Sequence, residues 1–418
     1  MMTSVFHHRF ILIGICVLLS SYAEQSFAQI LGCTDPVANN FSATATQNDG
    51  SCTYANATIS PLTSVSLGSA LVETSGLISW NSNLWTHNDN SDLNVYSIDT
   101  LAGAILQSTS ITGTLNTDWE EISQDANYIY LGDFGNNGNG NRTDLHILRI
   151  EKVSLLSGAP LIDTIYFSYS NQTDFTGTGA NSTDFDCEAF IVSQDSIFLF
   201  TKQWVSTKTS IYSLPKIPGS YSATLRGTLD VQGLITGAAY LEDKRLISLC
   251  GYTQVLQPFL FLLYDFTGTE FLSGNKRRMG LNLSFHQVEG IATNNGLKYY
   301  LSNEYFSQSI IDIPQKLHTI DLSAQLGNYL LDPQNAVEVL AGQLINIYPN
   351  PTQGNVYFIS STPPSRYQWI NAQGKIVDQG NIMPQETAIG TEKLQNGTYL
   401  LKLQNMNGQF QTFQVIVR

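Results

Sequence analysis

Three glutamates recur at equivalent places in the middle of the chain, in the segments Glu120-Glu121-Ile122, Glu188-Ala189-Phe190 and Glu289-Gly290-Ile291. Two further segments, Ser75-Gly76-Leu77 and Thr236-Gly237-Ala238, repeat the pattern with a hydroxyl group in place of the carboxylate. Carboxylates that converge repel one another unless a cation or a base lies among them, and such oxygen ligands suit Ca²⁺ or Mg²⁺. The pattern therefore predicts a cation site, provided that the fold brings the segments together.

The five segments read as the first strands of repeated units, because each is followed by a turn and a second apolar strand. They start at positions 75, 120, 188, 236 and 289, which are 45, 68, 48 and 53 residues apart. A four-stranded propeller blade takes about 40–50 residues. The spacing predicts an all-β fold with a five-bladed β-propeller at 58–340, or six blades if one has diverged. A polar insertion at 171–183 accounts for the longest interval, and a strand near 63–67 would close the ring.

The first strand of a blade faces the central channel, and residues two apart on a strand share a face. One inward ring would consist of Ser75, Glu120, Glu188, Thr236 and Glu289. A second ring nearer the mouth would consist of Glu73, Asp118, Asp186, Leu234 and Gln287. The second strand returns to the same mouth, so nine acids would converge there: Glu73, Asp89, Asp118, Glu120, Asp133, Asp186, Glu188, Glu289 and Glu304.

This funnel fits a binding or adhesion protein of unassigned extracellular ligand, with a cation in the channel. The predicted metal ligands are Glu120, Glu188, Glu289, Asp118 and Asp186. An alternative without any ligand is that these acids cap loops and brace neighbouring blades. The loop at 132–144 is a second candidate Ca²⁺ site, with a solvated Gly/Asn loop as its alternative. Trp119 and Trp204 could stack on a sugar at the mouth, but packing in the core is the favoured role for both.

A hydrolase is the other functional hypothesis, and it rests on a resemblance. Calcium-dependent lactonase and phosphotriesterase propellers look similar in holding a channel cation with acidic and amide side chains. In such an enzyme the ion polarises a carbonyl or phosphoryl oxygen and a carboxylate acts as the base. The resemblance implies Asp133 or Glu304 as the base, and His87 or Lys202 as the group that stabilises the developing anion.

The region 58–340 also resembles a family of uncharacterised exported propellers, which implies the fold and leaves the reaction open. The similarity lies in Trp85-Thr86-His87-Asn88-Asp89, Asp118-Trp119-Glu120-Glu121-Ile122, Gly132-Asp133-Phe134-Gly135-Asn136-Asn137, Asp186-Cys187-Glu188-Ala189, Ile235-Thr236-Gly237-Ala238 and Gln287-Val288-Glu289-Gly290-Ile291.

The C-terminal region contains four ordered sequence blocks: Ile345-Asn346-Ile347-Tyr348-Pro349-Asn350-Pro351, Ala372-Gln373-Gly374-Lys375, Leu394-Gln395-Asn396-Gly397-Thr398-Tyr399 and Phe413-Gln414-Val415-Ile416-Val417-Arg418. Short alternating strands separated by Gly and Asn turns predict a small immunoglobulin-like β-sandwich at 343–418. The blocks resemble the type A C-terminal sorting domain of the type IX secretion system. That resemblance implies the type IX machinery as a partner, and a secreted, extracellular or outer-membrane surface location.

The N-terminal region reads as a signal peptide at 1–28, followed by a small module at 29–57. Gly32-Cys33-Thr34-Asp35-Pro36 and Asp49-Gly50-Ser51-Cys52 resemble the short modules of exported bacterial proteins. A segment this small cannot form a sufficient hydrophobic core and needs a covalent cross-link, so we expect a disulfide between Cys33 and Cys52. Asp35, Asn48 and Asp49 could hold Ca²⁺ or serve only in turns.

The composition excludes some partners. The formal net charge is −14, so phosphate backbones and anionic membrane surfaces are repelled. Nucleic acid is therefore a poor partner, and no segment after the signal peptide is apolar enough to be a transmembrane helix.

Overall fold

The computed structural model describes residues 29–331, 346–348, 351–359, 364–371, 375–383, 388–404 and 410–418. The predicted signal peptide at 1–28 lies outside the described residues. Strands dominate the described chain, in which there are two α-helices of five and nine residues. The fold class is therefore all-β, as the sequence predicts. No helix in these ranges has the length and apolar character needed to cross a membrane.

Four short strands come first: β1 (Leu31–Gly32), β2 (Gln47–Asn48), β3 (Thr58–Ile59) and β4 (Thr63–Ser66). β1 and β2 pair in parallel. The other two pair with strands that lie much later in the chain. A turn of 3₁₀-helix at Ser69–Leu71 leads into the repeated units.

Four units of four consecutive strands follow. The first unit is β5 (Thr74–Trp80), β6 (Asn83–Asn88), β7 (Asn94–Ile98) and β8 (Ile105–Ser110). The second is β9 (Trp119–Gln124), β10 (Tyr128–Asp133), β11 (His146–Glu151) and β12 (Ile162–Tyr169), with helix α1 (Lys152–Leu156) before β12. The third is β13 (Asp186–Val192), β14 (Ser196–Lys202), β15 (Thr209–Pro215) and β16 (Gly219–Leu229). The fourth is β17 (Leu234–Leu241), β18 (Leu246–Tyr252), β19 (Pro258–Tyr264) and β20 (Asn275–Leu281), with 3₁₀ turns at Glu242–Lys244 and Phe271–Ser273.

The fifth unit combines strands from both ends of the repeated region. Its elements in chain order are β21 (Val288–Thr293), β22 (Lys298–Asn303), the hairpin β23 (Phe306–Gln308) and β24 (Ile311–Ile313), β25 (Lys316–Asp321) and helix α2 (Ser323–Leu331). The strand order is β21-β22-β25-β4. A strand that precedes the first unit thus completes the last one, which confirms the closing strand predicted near 63–67.

The five first strands, β5, β9, β13, β17 and β21, contact one another in cyclic order, with β21 returning to β5. This radial arrangement of four-stranded sheets around a common axis is propeller-like. Two outer pairings were not predicted. β12 pairs in parallel with β16, which joins the second and third units, and β3 adds a parallel strand to β20.

Burial explains the sequence pattern of the units. All residues of β18 and β19 are buried, because these strands pack against other units on both faces and therefore read as apolar runs. Buried and partly exposed residues alternate along the outer strand β20, as expected for a sheet edge with one covered face. Cys187 and Cys250 lie in such buried strands as unpaired thiols.

A buried carboxylate links three units near the ring axis. Glu121 on β9 is completely buried. One of its oxygens accepts a hydrogen bond from the backbone N–H of Ile122 at 2.9 Å, and the other from that of Ala238 in the fourth unit at 2.7 Å. The backbone N–H of Leu77 in the first unit is also hydrogen-bonded to this carboxylate. Gly76 permits the contact, because a Cβ there would overlap the Glu121 carboxylate.

The N-terminal module is attached to the fourth unit. Cys33 and Cys52 form the predicted disulfide, with a Cα–Cα distance of 4.8 Å. The carboxylate of Asp35, which is buried, accepts hydrogen bonds from the hydroxyl groups of Tyr54 at 2.8 Å and Tyr264 at 2.6 Å. These bonds occupy Asp35 with neutral donors.

The other two oxygen-bearing residues of the module are also engaged. The Asn48 amide donates to Asp265 and to Asn275 on the fourth unit, both at 2.9 Å. Asp49 accepts from the backbone of Ser51 at 3.0 Å. These contacts support the turn role of the module's polar residues, and none of them needs the Ca²⁺ ion considered from the sequence.

The C-terminal region contains two sheets. Their strands are β26 (Asn346–Tyr348), β27 (Val356–Ile359), β28 (Arg366–Ile370), β29 (Ile376–Asn381), β30 (Ala388–Ile389), β31 (Gly397–Gln404) and β32 (Phe410–Val417). The orders are β26-β27-β30 and β29-β28-β31-β32. Val356 of the first sheet packs with Trp369 and Leu401 of the second in one core cluster.

We expect the substitution Glu121→Ala to lower the free energy of unfolding by about 2–4 kcal/mol, because it leaves buried backbone N–H groups in different units without acceptors. Chemical denaturation of the full chain measures this. The matched control is Glu270→Ala, which breaks an exposed ion pair with Arg226 and should cost less than about 1 kcal/mol. Equal effects of the two substitutions would contradict the role of Glu121.

We expect Asp35→Ala to lower the melting temperature of the repeated units as well as of the module, because Tyr54 and Tyr264 lose a shared buried acceptor. The cost should be about 2–3 kcal/mol. Asp49→Ala is the control, and the melting temperature should not change, since Asp49 contacts only Ser51 in its own turn. A melting temperature unaffected by Asp35→Ala would show that the module is an independent appendage.

Candidate functional site

A β-bulge interrupts the first strand of every unit. In the second to fifth units, the residues that the bulges leave without a cross-strand partner are Glu120, Glu188, Thr236 and Glu289. In the first unit, the register skips Ser75 and Gly76. A bulge adds one residue to a strand and changes the direction of its side chain. All five positions of the predicted inward ring therefore lie on bulges, a feature that the sequence prediction did not include.

The three glutamates of that ring line one cavity of about 220 Å³. Six acids contribute to its wall: Asp89, Asp118, Glu120, Glu188, Glu289 and Glu304. Lys202 is the one lysine or arginine among the described residues that line it. Because six carboxylates share the space with a single ammonium group, the cavity has a strongly negative potential.

One half of the cavity contains its own counter-ion. The Lys202 ammonium lies 2.9 Å from a carboxylate oxygen of Glu188. It also lies 4.9 Å from the ring centre of Trp204 and 5.3 Å from that of Tyr252. Burial disfavours the charged ammonium, but the charge of Glu188 outweighs it and holds the pKa of Lys202 well above its usual value. This side chain therefore already neutralises Glu188.

The other half has carboxylates and no ammonium partner among the described side chains. Oxygens of Glu73, Asp89 and Glu304 lie within 4.8 Å of one another. Glu289 is 5% exposed, and its Oε2 atom has no hydrogen-bond partner. Burial, reinforced by the charges of Glu73 and Glu188, raises the pKa of Asp89 to about 7. Burial, opposed by Lys202 and reinforced by Glu188, raises the pKa of Glu289 to about 8.

Four of the five predicted metal ligands line the cavity: Glu120, Glu188, Glu289 and Asp118. Asp118 and Glu120 lie against the backbone of Gly135, where a Cβ would overlap both carboxylates. Burial and the charge of Glu188 raise the pKa of Asp118 to about 6, and the same two causes raise the pKa of Glu120 well above its usual value.

Asp186, the fifth predicted metal ligand, does not lie in the cavity wall. It is completely buried, and its two carboxylate oxygens accept hydrogen bonds from the backbone of Asn136 at 2.6 Å and from the indole of Trp204 at 2.8 Å. The equivalent residues Asp118 and Gln287 do line the cavity, so the different position of Asp186 is due to these two hydrogen bonds and not to the bulge at Glu188. Asp186 therefore braces the loop at 132–144 and Trp204.

Asp133, one of the two predicted bases, does not line the cavity and has other partners. Its carboxylate pairs with the Arg142 guanidinium at 2.7 Å and accepts a hydrogen bond from the backbone of Thr117 at 3.0 Å. Arg142 also pairs with Asp144 and donates to the carbonyl of Gly135. The same arginine supplies the positive charge within the loop at 132–144, which was the second Ca²⁺ candidate.

His87 packs in the core. Its ring is completely buried, stands edge-on to Trp119 at 6.0 Å and does not line the cavity. Burial lowers its pKa to about 4, so the imidazole is neutral at pH 7. The other two predicted catalytic groups, Glu304 and Lys202, do line the cavity.

The two hydroxyl members of the ring brace neighbouring units. Ser75 donates to the carbonyl of Glu120, and Thr236 donates to that of Val288. Trp119 is a core residue, whereas Trp204 is half-buried and faces the cavity. Tyr252, Asn137 and Asn181 also line the cavity and were not predicted. Tyr252 is the last residue of β18, and the position of that strand end was the signal that could have identified it.

Residues 346–418 match the family of secretion system C-terminal sorting domains. The match lies within the segment 343–418 that the sequence indicated. The chain therefore carries a type IX sorting domain, and it is secreted to the cell surface or the extracellular space. No match to the chain is found among curated proteins.

Several solved structures are similar to the chain at low identity. A periplasmic gluconolactonase from Pseudomonas aeruginosa shares 11% identity at a TM-score of 0.31, covering 82% of this chain and 95% of that one. The computationally designed Ika8 protein shares 9% at 0.27, covering 84% and 99%. A chain of a mitotic checkpoint complex shares 9% at 0.32, covering 62% and 95%. At these TM-scores, none of the three structures identifies the fold or the function of this chain.

In the presence of a chelator, the free energy of unfolding should fall as the pH rises from 6.5 to 8. The folded state holds the pKa of Glu289 at about 8, whereas the unfolded chain has the usual value near 4.5, so only the folded state keeps the proton in this window. The loss is at most about 1.4 kcal/mol per pH unit for each such group. Chemical denaturation at several pH values measures it.

Glu289→Gln is the control for that pH dependence, since the neutral amide replaces the protonated acid. Its stability should fall less steeply over the same range. Identical slopes for Glu289→Gln and the unsubstituted chain would contradict the raised pKa of Glu289.

Proposed function

We propose that this protein is a secreted or cell-surface binding protein whose central cavity takes up cations. In this proposal, the repeated units form a five-bladed β-propeller that presents the cavity to an extracellular ligand. The C-terminal sheets form an immunoglobulin-like sandwich that serves export. The sorting domain match supports the location, and the cyclic contacts of the five first strands support the blade number.

The observation that carries the cation proposal is the unbalanced charge of the cavity. Six acids line it together with one lysine, and Glu289 Oε2 has no hydrogen-bond partner. Ionising Glu289 in this position costs free energy, because burial, opposed by Lys202 and reinforced by Glu188, raises its pKa to about 8, and each pKa unit corresponds to about 1.4 kcal/mol. A cation removes that cost, and carboxylate oxygens prefer Ca²⁺ or Mg²⁺.

A hydrolytic role has weaker support. Asp133 is paired with Arg142, and His87 is buried outside the cavity, so two of the four groups implied for catalysis are committed elsewhere. Glu304 and Lys202 line the cavity, but the Lys202 ammonium is paired with Glu188. These contacts favour binding over turnover.

Calorimetric titration of the purified, chelator-treated chain with Ca²⁺ and with Mg²⁺ tests the proposal. We expect saturable binding and a rise in melting temperature, because a ligand at 100 times its dissociation constant stabilises the folded state by about 2.7 kcal/mol. Glu289→Gln should weaken binding at least tenfold. Asp243→Asn should not weaken binding, because Asp243 is an exposed acid in the turn between β17 and β18 and does not line the cavity.

The same preparations can be assayed for hydrolysis of lactones, esters and phosphoesters with and without chelator. Metal-dependent turnover that Glu289→Gln abolishes would replace the binding role with an enzymatic one. The absence of saturable binding of either ion would refute the cation proposal.

A further inference from the structure

Four of the acids around the cavity lie at the junction where the ring closes. Glu73 and Asp89 flank β5 and β6 of the first unit, whereas Glu289 and Glu304 belong to β21 and the end of β22 in the fifth unit. The backbone of Asp89 donates to the carbonyl of Glu73 at 3.1 Å, and the backbone of Glu304 donates to that of Gln287 at 3.2 Å. Each pair of acids is thus fixed within its own unit.

A direct backbone contact joins the two units at this place. The N–H of Tyr305, which follows Glu304, donates to the carbonyl of Val72, which precedes Glu73, at 2.8 Å. The acids therefore face one another across a fixed junction. Oxygens of Glu73, Asp89 and Glu304 lie within 4.8 Å of one another, and two ligands on opposite sides of a Ca²⁺ ion are separated by about 4.6–5.2 Å.

Glu289 supplies an independent sign of a missing ligand. Glu289 is only 5% exposed, and its Oε2 atom has no hydrogen-bond partner. It lines the same cavity as Asp89 and Glu304. Buried polar atoms in native proteins are nearly always paired, so such an atom requires an explanation.

The counter-ion in the cavity does not meet this need. The Lys202 ammonium is in contact with Glu188 at 2.9 Å, in the third unit. One hydrogen bond does reach the junction, from the Gln287 amide to Glu304 Oε1 at 2.6 Å. It satisfies one oxygen of one carboxylate and leaves the excess negative charge in place.

We propose that a divalent cation of the Ca²⁺ class binds between the first and fifth units, with Glu73, Asp89, Glu304 and Glu289 as its carboxylate ligands, and that it locks the ring closed. This assignment rests on the proposal that the cavity takes up cations. It differs from the ligand set predicted from the sequence, because Glu188 is already paired with Lys202 and the carboxylates of Glu120 and Asp118 lie against the backbone of Gly135.

Ring closure is the expected consequence of this placement. The ligands come from the two units that are furthest apart in sequence, so the ion would oppose the separation of β5 from β21. Hydrogen exchange at Thr74–Trp80 and Val288–Thr293 should therefore slow when Ca²⁺ is added. Exchange in the third unit, at Asp186–Val192, should change less.

The test is Ca²⁺ titration of the full chain after chelation, followed by calorimetry, melting temperature and hydrogen exchange. Asp89→Asn and Glu304→Gln should each weaken Ca²⁺ binding at least tenfold and remove the protection of β5 and β21. Glu120→Gln, in the wall of the same cavity, is the comparison variant and should weaken binding less than either of them. Asp243→Asn, an exposed acid outside the cavity wall, is the control and should stay within twofold of the unsubstituted chain.

The outcomes separate this inference from the broader proposal. Ca²⁺ binding that survives Asp89→Asn and Glu304→Gln but is lost in Glu120→Gln would overturn the junction site and leave a cation-binding cavity. No saturable Ca²⁺ or Mg²⁺ binding by the unsubstituted chain would overturn both. If a variant does not fold, the hydrogen exchange of the unsubstituted chain decides, since Ca²⁺ that protects all five first strands equally contradicts binding at the junction.

Discussion

The carboxylate of Glu121 is the interaction on which the centre of the ring depends. It accepts backbone hydrogen bonds from its own unit and from Ala238 across the axis. The equivalent position in the other units carries a small residue: Gly76, Ala189, Gly237 or Gly290. A Cβ at Gly237 or Gly290 would overlap the backbone of the neighbouring first strand. The axis therefore has room for one large side chain, and its acceptor geometry fixes how closely the units approach.

The close approach of the first strands also sets the direction of the side chain that precedes position 121, or its equivalent, in each segment. Since position 121 and its equivalents pack into the ring, the bulges turn positions 120, 188 and 289 toward the mouth. The repeat in the sequence was enough to predict the order of the strands, the closing strand and the convergence of these three glutamates. The bulges were not predicted, although Gly76, Gly237 and Gly290 directly follow three of the bulged positions, and a glycine inside a strand is a sign of a bulge.

Tertiary partners account for the other differences between prediction and structure. Asp133 follows the same second-strand pattern as Asp89 and Glu304, yet it is neutralised by Arg142, nine residues further along the loop. His87 is adjacent to the mouth in sequence but points into the core against Trp119. Residue type and spacing can indicate that a group is near a site. Whether the group is available depends on pairings made by loops, and these have no repeat in the sequence.

The repulsion between like charges differs among the five junctions between neighbouring units of the ring. The outer strands of the second and third units pair with each other, and within the third unit Lys202 neutralises Glu188 on the inner side. Between the fifth and first units, β4 completes the sheet on the outer side by neutral backbone hydrogen bonds, whereas Glu73, Asp89 and Glu304 crowd together on the inner side. Like charges in partly buried positions repel strongly, since water screens them poorly. The repulsion is thus concentrated at the junction where the ring closes, which the chain crosses through the short segment between β4 and β5. The stability of the closed ring should therefore depend on ions there more than at any other junction.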